Sequence, residues 1–583
     1  MSTFAGLNTA YKGLVAQQLA LNITSHNIAN ASTEGYTRQD VMMAPSTPYK
    51  VLQGYVGTGV DVTEFRRIRD AFVDTQIRTE NKSLGELQTK ADIYDKLEVV
   101  FNEPSDSSLQ TVLSSYWQSW QDLSKNTDSV AVRDTTVQSG VTLADTFNQM
   151  DMMLNELQAD INKGIAVKVD EINTYARQIA DLNEQIVKAE TDGSNANDLR
   201  DKRDLLLENL SKALNIDVNE DRTGSLTVVA NGVPLVSGSS VIEMEFSIND
   251  SYPQKSTLMW LDPANGNPWF NVSVSSGTIK GYLDMRDKVI PDIQGQLSEM
   301  ARRIAIEVNN LHRNGFDFNG AAGRDFFVKL DDTKPFGAGN IKVNPILLAD
   351  ANLVAASGDA AASEGDATVA LAIAQVKNKS LMNSGIAAPQ LTVAGTKDLS
   401  AGLEITADNN ILNLTVNGVS KSLTLTPAVY ASGADLVAEI QARLNDPASF
   451  GPGAVTASLS AGNMLMLTSN IVSPYQGVGD LSGPAAAALG IASEFRNTYD
   501  DYYSGIVGNV GVDSREVIRS LENRELLVEQ LRNKRESVSG VSLDEEMTNM
   551  IKFQHAYTAA ARVINTMDEM LDLIVNRLGI VGR

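Results

Sequence analysis

A chain without cysteine must draw its chemistry from carboxylates, histidines and glycine-rich turns, and each group can be read from its spacing. Asp198, Asp201 and Asp204 recur every third residue, a row that could hold a metal or share a proton. Arg200, Lys202 and Arg203 are interleaved with them. On a helix Asp198 meets Lys202 and Arg200 meets Asp204, four residues on, so residues 197–207 read as a solvated, self-paired face. Residues 54–59 carry Gly54, Gly57 and Gly59, yet no Lys-Ser/Thr follows and no strand-turn-helix surrounds them, which argues against a phosphate cradle. Asp317 and Asn319 lack the closing Glu of a calcium loop. The three histidines, His26, His312 and His555, sit in helices or at their ends, where packing or surface roles are expected. Ser/His/Asp, Cys/His and HExxH constellations are missing, so neither catalysis, a cofactor nor a metal is expected.

Composition narrows the classes further. The 583 residues are enough for several domains, and 43% apolar with 21% charged is ordinary for globular protein. A net charge of −24, from 72 acidic and 48 basic residues, opposes binding to nucleic acid or to an anionic membrane surface. Disulfides are impossible, and a structural zinc site is not expected. No run approaches 18 apolar residues, and the N-terminus lacks the basic and apolar regions of a secretory signal. Composition alone points to the cytosol.

The elements that would position any site are mostly helices. Residues 542–578 open with the capping box Ser542/Glu545 and carry Met547, Met550, Tyr557, Ala561, Ile564, Leu571, Val575 and Leu578 in a 4,3 pattern, with steps of three, four or, where one position is skipped, seven. With no Gly or Pro to fold it back, such a helix needs partner helices. Residues 2–29 supply one: Phe4 and Tyr11 share a row, and Leu7, Leu14, Leu21 and Ile28 repeat every seven residues, a coiled-coil seam. Residues 41–67 read as a β-hairpin or long ordered loop, 69–101 and 109–123 as helices, the latter with Trp117 and Trp120 as core anchors. Residues 130–189 carry one stripe, with a stutter from Leu157 through Ile161 to Ile165, and would make a helix ~90 Å long, hence a rod. A small β excursion fills 216–279, and Pro291 suits the first turn of a helix over 291–313. Between Gly385 and Gly490, Thr, Asn, Gly and Ala rise and short strands flank a helix over 435–444, after which helix returns over 494–537.

Residues 27–39, Asn-Ile-Ala-Asn-Ala-Ser-Thr-Glu-Gly-Tyr-Thr-Arg-Gln, resemble the N-terminal signature of the axial proteins of the bacterial flagellum, the rod, hook and hook-associated proteins. Residues 540–547 followed by 553–564 resemble their C-terminal signature, and residues 197–207, 224–238 and 309–320 are similar to the hook-associated members, those of the junction between hook and filament. The resemblance implies a non-enzymatic structural subunit exported through the flagellar apparatus without a cleaved signal, which overrides the cytosolic reading. It implies these partners: further copies of itself in a ring or helical assembly, hook protein, the next hook-associated protein (type 3), and a cytosolic export chaperone on the C-terminal region. The alternatives are another axial protein, hook or flagellin-like, or a secreted adhesin or enzyme carried by the inserted module.

The expected fold is mainly α with inserted β-rich parts, an elongated multidomain rod whose terminal helices pair in a coiled-coil-like axial domain. Residues 1–39 and 541–583 form that domain, 40–68 the hairpin, and 69–215, 280–383 and 493–540 the helical rod. Residues 216–279 are the β excursion and 384–492 an outward α/β module. The resemblance and the seams together assign self-assembly to Phe4, Leu7, Tyr11, Leu14, Leu21, Ile28, Met547, Met550, Tyr557, Ile564, Leu571 and Leu578.

Overall fold

The computed structural model describes residues 3–51, 54–102, 105, 108–249, 256–362, 365–379, 382, 392–416, 419–447, 449–460, 462–470, 478–482, 484–489 and 497–573. The fold is mainly helical with small antiparallel sheets between the helices. Helix α1 (Thr3–Ala29) hands over through a turn at Gly35, whose φ of +76° suits a residue without Cβ, to strand β1 (Gln39–Pro45). Strand β4 (Val60–Arg67) returns along β1, Gln39 opposite Arg67 and Pro45 opposite Val60, and β2 (Tyr49–Val51) with β3 (Gly54–Val56) closes the tip. The hairpin expected over 41–67 is this ribbon.

Four helices follow: α2 (Ala71–Phe101), α3 (Leu109–Lys125), α4 (Val130–Ala189) and α5 (Asn197–Ala213). Ser108 caps α3 by accepting from the Thr111 amide. Helix α4 is one unbroken helix of 60 residues, and its stripe of Leu143, Phe147, Leu154, Ile161, Ile165, Val169, Ile172 and Ile179 is buried throughout, the stutter included.

The β excursion holds two sheets: β5 (Ile216–Glu220), β6 (Leu226–Ala230), β7 (Val233–Ser237) and β8 (Ser240–Val241) in sequence order, then β10 (Thr257–Leu261) between β9 (Met244–Ser247) and β11 (Pro268–Asn271). Trp260 is buried, whereas Trp269 on the edge strand is exposed.

Helix resumes earlier than Pro291 suggests. Helix α6 (Thr278–Asp284) passes through a π-helical turn, Met285–Val289, into α7 (Ile290–Arg313), so Pro291 sits inside a continuous helical run. Proline's ring crowds the carbonyl four residues back, and widening the preceding turn is a way to accommodate it.

Short elements come next, α8 (Pro345–Ala349) and α9 (Thr368–Ala374). A β-rich part with helices α10 (Gly433–Leu444) and α11 (Pro484–Ala488) has its own core around Leu412, Leu414, Leu436, Ile440, Leu465 and Leu467. The chain ends with α12 (Tyr499–Ser539) and α13 (Leu543–Asp572).

Two compact units can be distinguished. One comprises residues 1–91, 161–283 and 516–583, the other 92–160 and 284–515. In the second, Tyr116, Trp117 and Trp120 of α3 meet Phe326, Phe327, Tyr499 and His312 in an aromatic core, with Trp120 and Phe326 ring centroids 5.3 Å apart. His312, fully buried there, accepts from the Ala355 amide at 2.9 Å through Nε2, which leaves Nδ1–H facing the Arg324 carbonyl. Burial pushes its pKa down to about 4. Asp317 caps its own turn, accepting from the amides of Asn319 and Ala321, and among the described residues no acidic or histidine cluster could hold a metal. No helix of the described residues is long and apolar enough to cross a membrane.

Candidate functional site: the terminal helix pair and its anchor

Helices α1 and α13 pack against each other in the first unit. A Cβ at Gly6 would lie 2.7 Å from Met567 Cε, and Asn27 Nδ2 donates to Glu546 Oε2 at 3.0 Å. The intervals from Gly6 to Asn27 and from Glu546 to Met567 are equal, so the pair is antiparallel and runs in step. That register sets Ala16 opposite Tyr557, Ala20 opposite Phe553 and Gly13 opposite Ala560. The buried residues of α1 are Ala16, Ala20, Thr24 and Asn27, a row of small side chains into which larger ones from α13 can settle.

This face differs from the one the leucines mark. Leu7, Leu14, Leu21 and Ile28 lie roughly a third of a turn around the helix from the buried row and are only partly covered. Tyr11 is 59% exposed. On α13 the expected seam does face α1: Met550, Tyr557, Ile564 and Leu571 share the side of Glu546 and are half-buried. Met547 is 57% exposed, and Ile551, Val563, Met570 and Leu573 are also left in solvent. The side chain of Phe4 and the whole of Val575 and Leu578 lie outside the described residues, as do residues 384–391 and 490–492 at the edges of the expected module.

The one buried residue of α13 is charged. Glu546, 2% exposed, receives Arg38 Nε at 2.8 Å and Asn27 Nδ2 at 3.0 Å, while Glu545 receives Arg38 Nη1 at 2.8 Å. Asn27 is saturated: its Nδ2 also donates to the Gln39 carbonyl, and its Oδ1 accepts from Tyr36 Oη and the Gln39 amide. The Arg38 amide reaches back to the Ser539 carbonyl at 2.9 Å, tying the turn after α1 to the end of α12. Burial, with Asp198, Asp201 and Glu546 nearby, drives the Tyr36 phenol upward, so it stays protonated and donates.

Helix α5 completes the anchor, and here the reading of a solvated face fails. Asp201, buried, accepts from the Thr37 amide and from Arg67, both at 2.8 Å. Asp204 takes Arg67 and Arg69, and Asp198 takes Gln39 Nε2 at 2.8 Å and His26 at 3.3 Å. Arg200 turns to Glu190 and Glu220, each at 2.7 Å. Arg203, 1% exposed, donates to Asn183 and the Gly224 carbonyl, and burial lowers its pKa to about 10. Four-apart pairing lost because Asp201, Asp204, Arg200 and Arg203 each have hydrogen-bonded partners on other elements, in sites largely shielded from water, whereas Asp198 and Lys202 stay exposed. The three aspartates therefore clamp the signature turn and the hairpin base to α5. Asn27, Arg38, Arg67 and Glu546 were not singled out by spacing, although three of them stand within the quoted signature stretches.

Three family models match in chain order. Residues 7–37 match "Flagella basal body rod protein", 94–327 match "Flagellar hook-associated protein FlgK helical domain", and 533–578 match "Flagellar basal body rod FlgEFG protein C-terminal". The chain is 29% identical over 622 residues to flagellar hook-associated protein 1 of Bacillus subtilis, covering 100% of both, and 28% identical over 579 residues to that of Escherichia coli, covering 98% of this chain and 99% of the relative. The solved structure of the flagellar hook junction protein FlgK from Burkholderia pseudomallei is similar at 18% identity and a TM-score of 0.48, over 80% of this chain and 100% of that one. With full-length relatives of one kind and both terminal models flanking the helical one, the chain belongs to the flagellar hook-associated protein 1 family.

Proposed function

We propose that the chain is a structural subunit joining the flagellar hook to the filament, and that it assembles with further copies of itself through its terminal helices. The observation that carries the second half is the leucine seam: Leu7, Leu14, Leu21 and Ile28 are heptad-spaced, and the internal helix pair uses a different face. A seam with this spacing is suited to packing against a further helix. The apolar side chains that α13 leaves in solvent supply the complementary surface, and before export they are what a chaperone of the C-terminal region would cover.

Hook protein on one side and the next hook-associated protein (type 3) on the other are the partners of such a junction, reached through the flagellar export route, outside the cell. The part over 384–492 faces outward as an insertion. Supporting this, Met382 and Asn497 exchange backbone hydrogen bonds at 3.1 Å, so the ends of the inserted stretch meet. A subunit held by packing alone needs no catalytic site.

The test is binding of purified chain to isolated hook ends, followed by electron microscopy and filament growth from added subunits. Leu14→Asp with Leu21→Asp should abolish incorporation while the unfolding midpoint stays within about 1 kcal/mol of the parent's, because both side chains are already partly in water. Normal capping by the double variant would sink the assignment of the seam.

A further inference from the structure

The face that α1 turns to α13 is not its most apolar one. The leucine seam would bury four large side chains, whereas the face in use offers Gly6, Gly13, Ala16 and Ala20. By apolar area alone α1 should roll by roughly a third of a turn and close its leucines onto α13. What opposes the roll is polar. Asn27 spends its donors and its acceptor on Gln39, Tyr36 and Glu546, all in one direction, and Glu546 is held in turn by Arg38, whose amide is bonded to Ser539. Rolling α1 would carry Asn27 away from this set and leave a buried carboxylate with one partner fewer, a loss set by desolvation and not by area.

We infer that the Asn27–Glu546–Arg38 network selects which face of α1 packs inside the chain, and so keeps the leucine seam open. A buried polar group can act this way in a helix pair, giving up some stability to exclude an alternative packing. Glu546 is then a specificity-determining residue whose removal leaves the helices paired but turned. The inference concerns the pair itself and holds whatever the free seam binds.

The chain contains no cysteine, so introduced pairs report without background. Gly6→Cys with Met567→Cys marks the observed face, since a Cβ at Gly6 would lie 2.7 Å from Met567 Cε. Leu7→Cys with Met567→Cys marks the rolled one. In the full-length parent, the first pair should form its disulfide under mild oxidation at least about tenfold faster than the second, the ratio expected when the alternative packing lies about 1.4 kcal/mol higher. Glu546→Leu should bring the ratio to about one or invert it. Glu546→Gln, which keeps the shape and can still hydrogen-bond, should lower it partway and decides the matter if the leucine variant does not fold. A ratio unchanged in the variants that fold overturns the inference, and so does a parent without preference.

Discussion

The aromatic core around Trp120 and the terminal helix pair both bury a face of a helix, yet they are built on opposite terms. Around Trp120, Tyr116, Trp117, Phe326 and Phe327 have all but left solvent, and the histidine among them is neutral with both nitrogens engaged. In the pair, α13 buries a single residue, a glutamate, and its apolar side chains remain partly or largely in water. The first contact is complete within one chain, and its stability scales with area removed from water. The second is incomplete, with its geometry set by a polar anchor and much of its apolar surface left over. A contact completed within the chain and one that keeps apolar surface in reserve can thus be told apart by what each leaves unburied.

Trp120→Ala strikes the finished side of this contrast and should have the largest effect. Removing a fully buried indole costs about 3–5 kcal/mol, read as a lower denaturant midpoint, while cross-linking between α1 and α13 should be unaffected. An unchanged midpoint would mean that the aromatic cluster is not the stabilising core.

Asp201→Ala tests the anchor. It leaves the Thr37 amide without its acceptor and Arg67 with Asp204 alone, at a cost of about 1–3 kcal/mol, and hydrogen exchange should rise in residues 30–40 and along β1 and β4. Unaltered exchange there would show that α5 does not hold the signature turn.

Acid should distinguish the regions next. His312 titrates near 6.5 when unfolded and is held down to about 4 by burial when folded. Its contribution is present in full above about pH 6.5, declines as pH falls, and is gone below about 4, up to about 3 kcal/mol in all. Stability of the unit containing His312 should therefore rise with pH over that window, and His312→Gln should flatten the profile. An identical profile in the variant would assign the acid sensitivity elsewhere.

The smallest expected effect lies in the unfinished pair. Gly13→Ala adds a methyl where nothing stands within 4 Å and removes a glycine from mid-helix, so α1 should gain about 0.5–1 kcal/mol, seen as slower amide exchange in residues 3–29. Loss of protection would show that α13 approaches α1 more closely than the structure has it.

What the chain determined by its sequence alone is whatever depends on neighbours within a turn or two. The bounds of α4, the cap at Ser542, the buried row from Leu143 to Ile179 and the two signature stretches were all legible, because helical periodicity and capping are local. Three features were decided by the tertiary structure. Asp198 has Lys202 and Arg200 has Asp204 four residues on, but the partners that Asp198, Arg200, Asp201, Arg203 and Asp204 take arrive from residues 26–39, 67–69, 183–190 and 220–224. The helical start at Thr278 was hidden by a proline that the widened turn before it accommodates. The choice between two packable faces of α1 hangs on Asn27 meeting Glu546 across 519 positions of sequence, and periodicity carries no information about a contact that distant. Spacing says where a helix can pack; a polar group with one possible set of partners says which way it does.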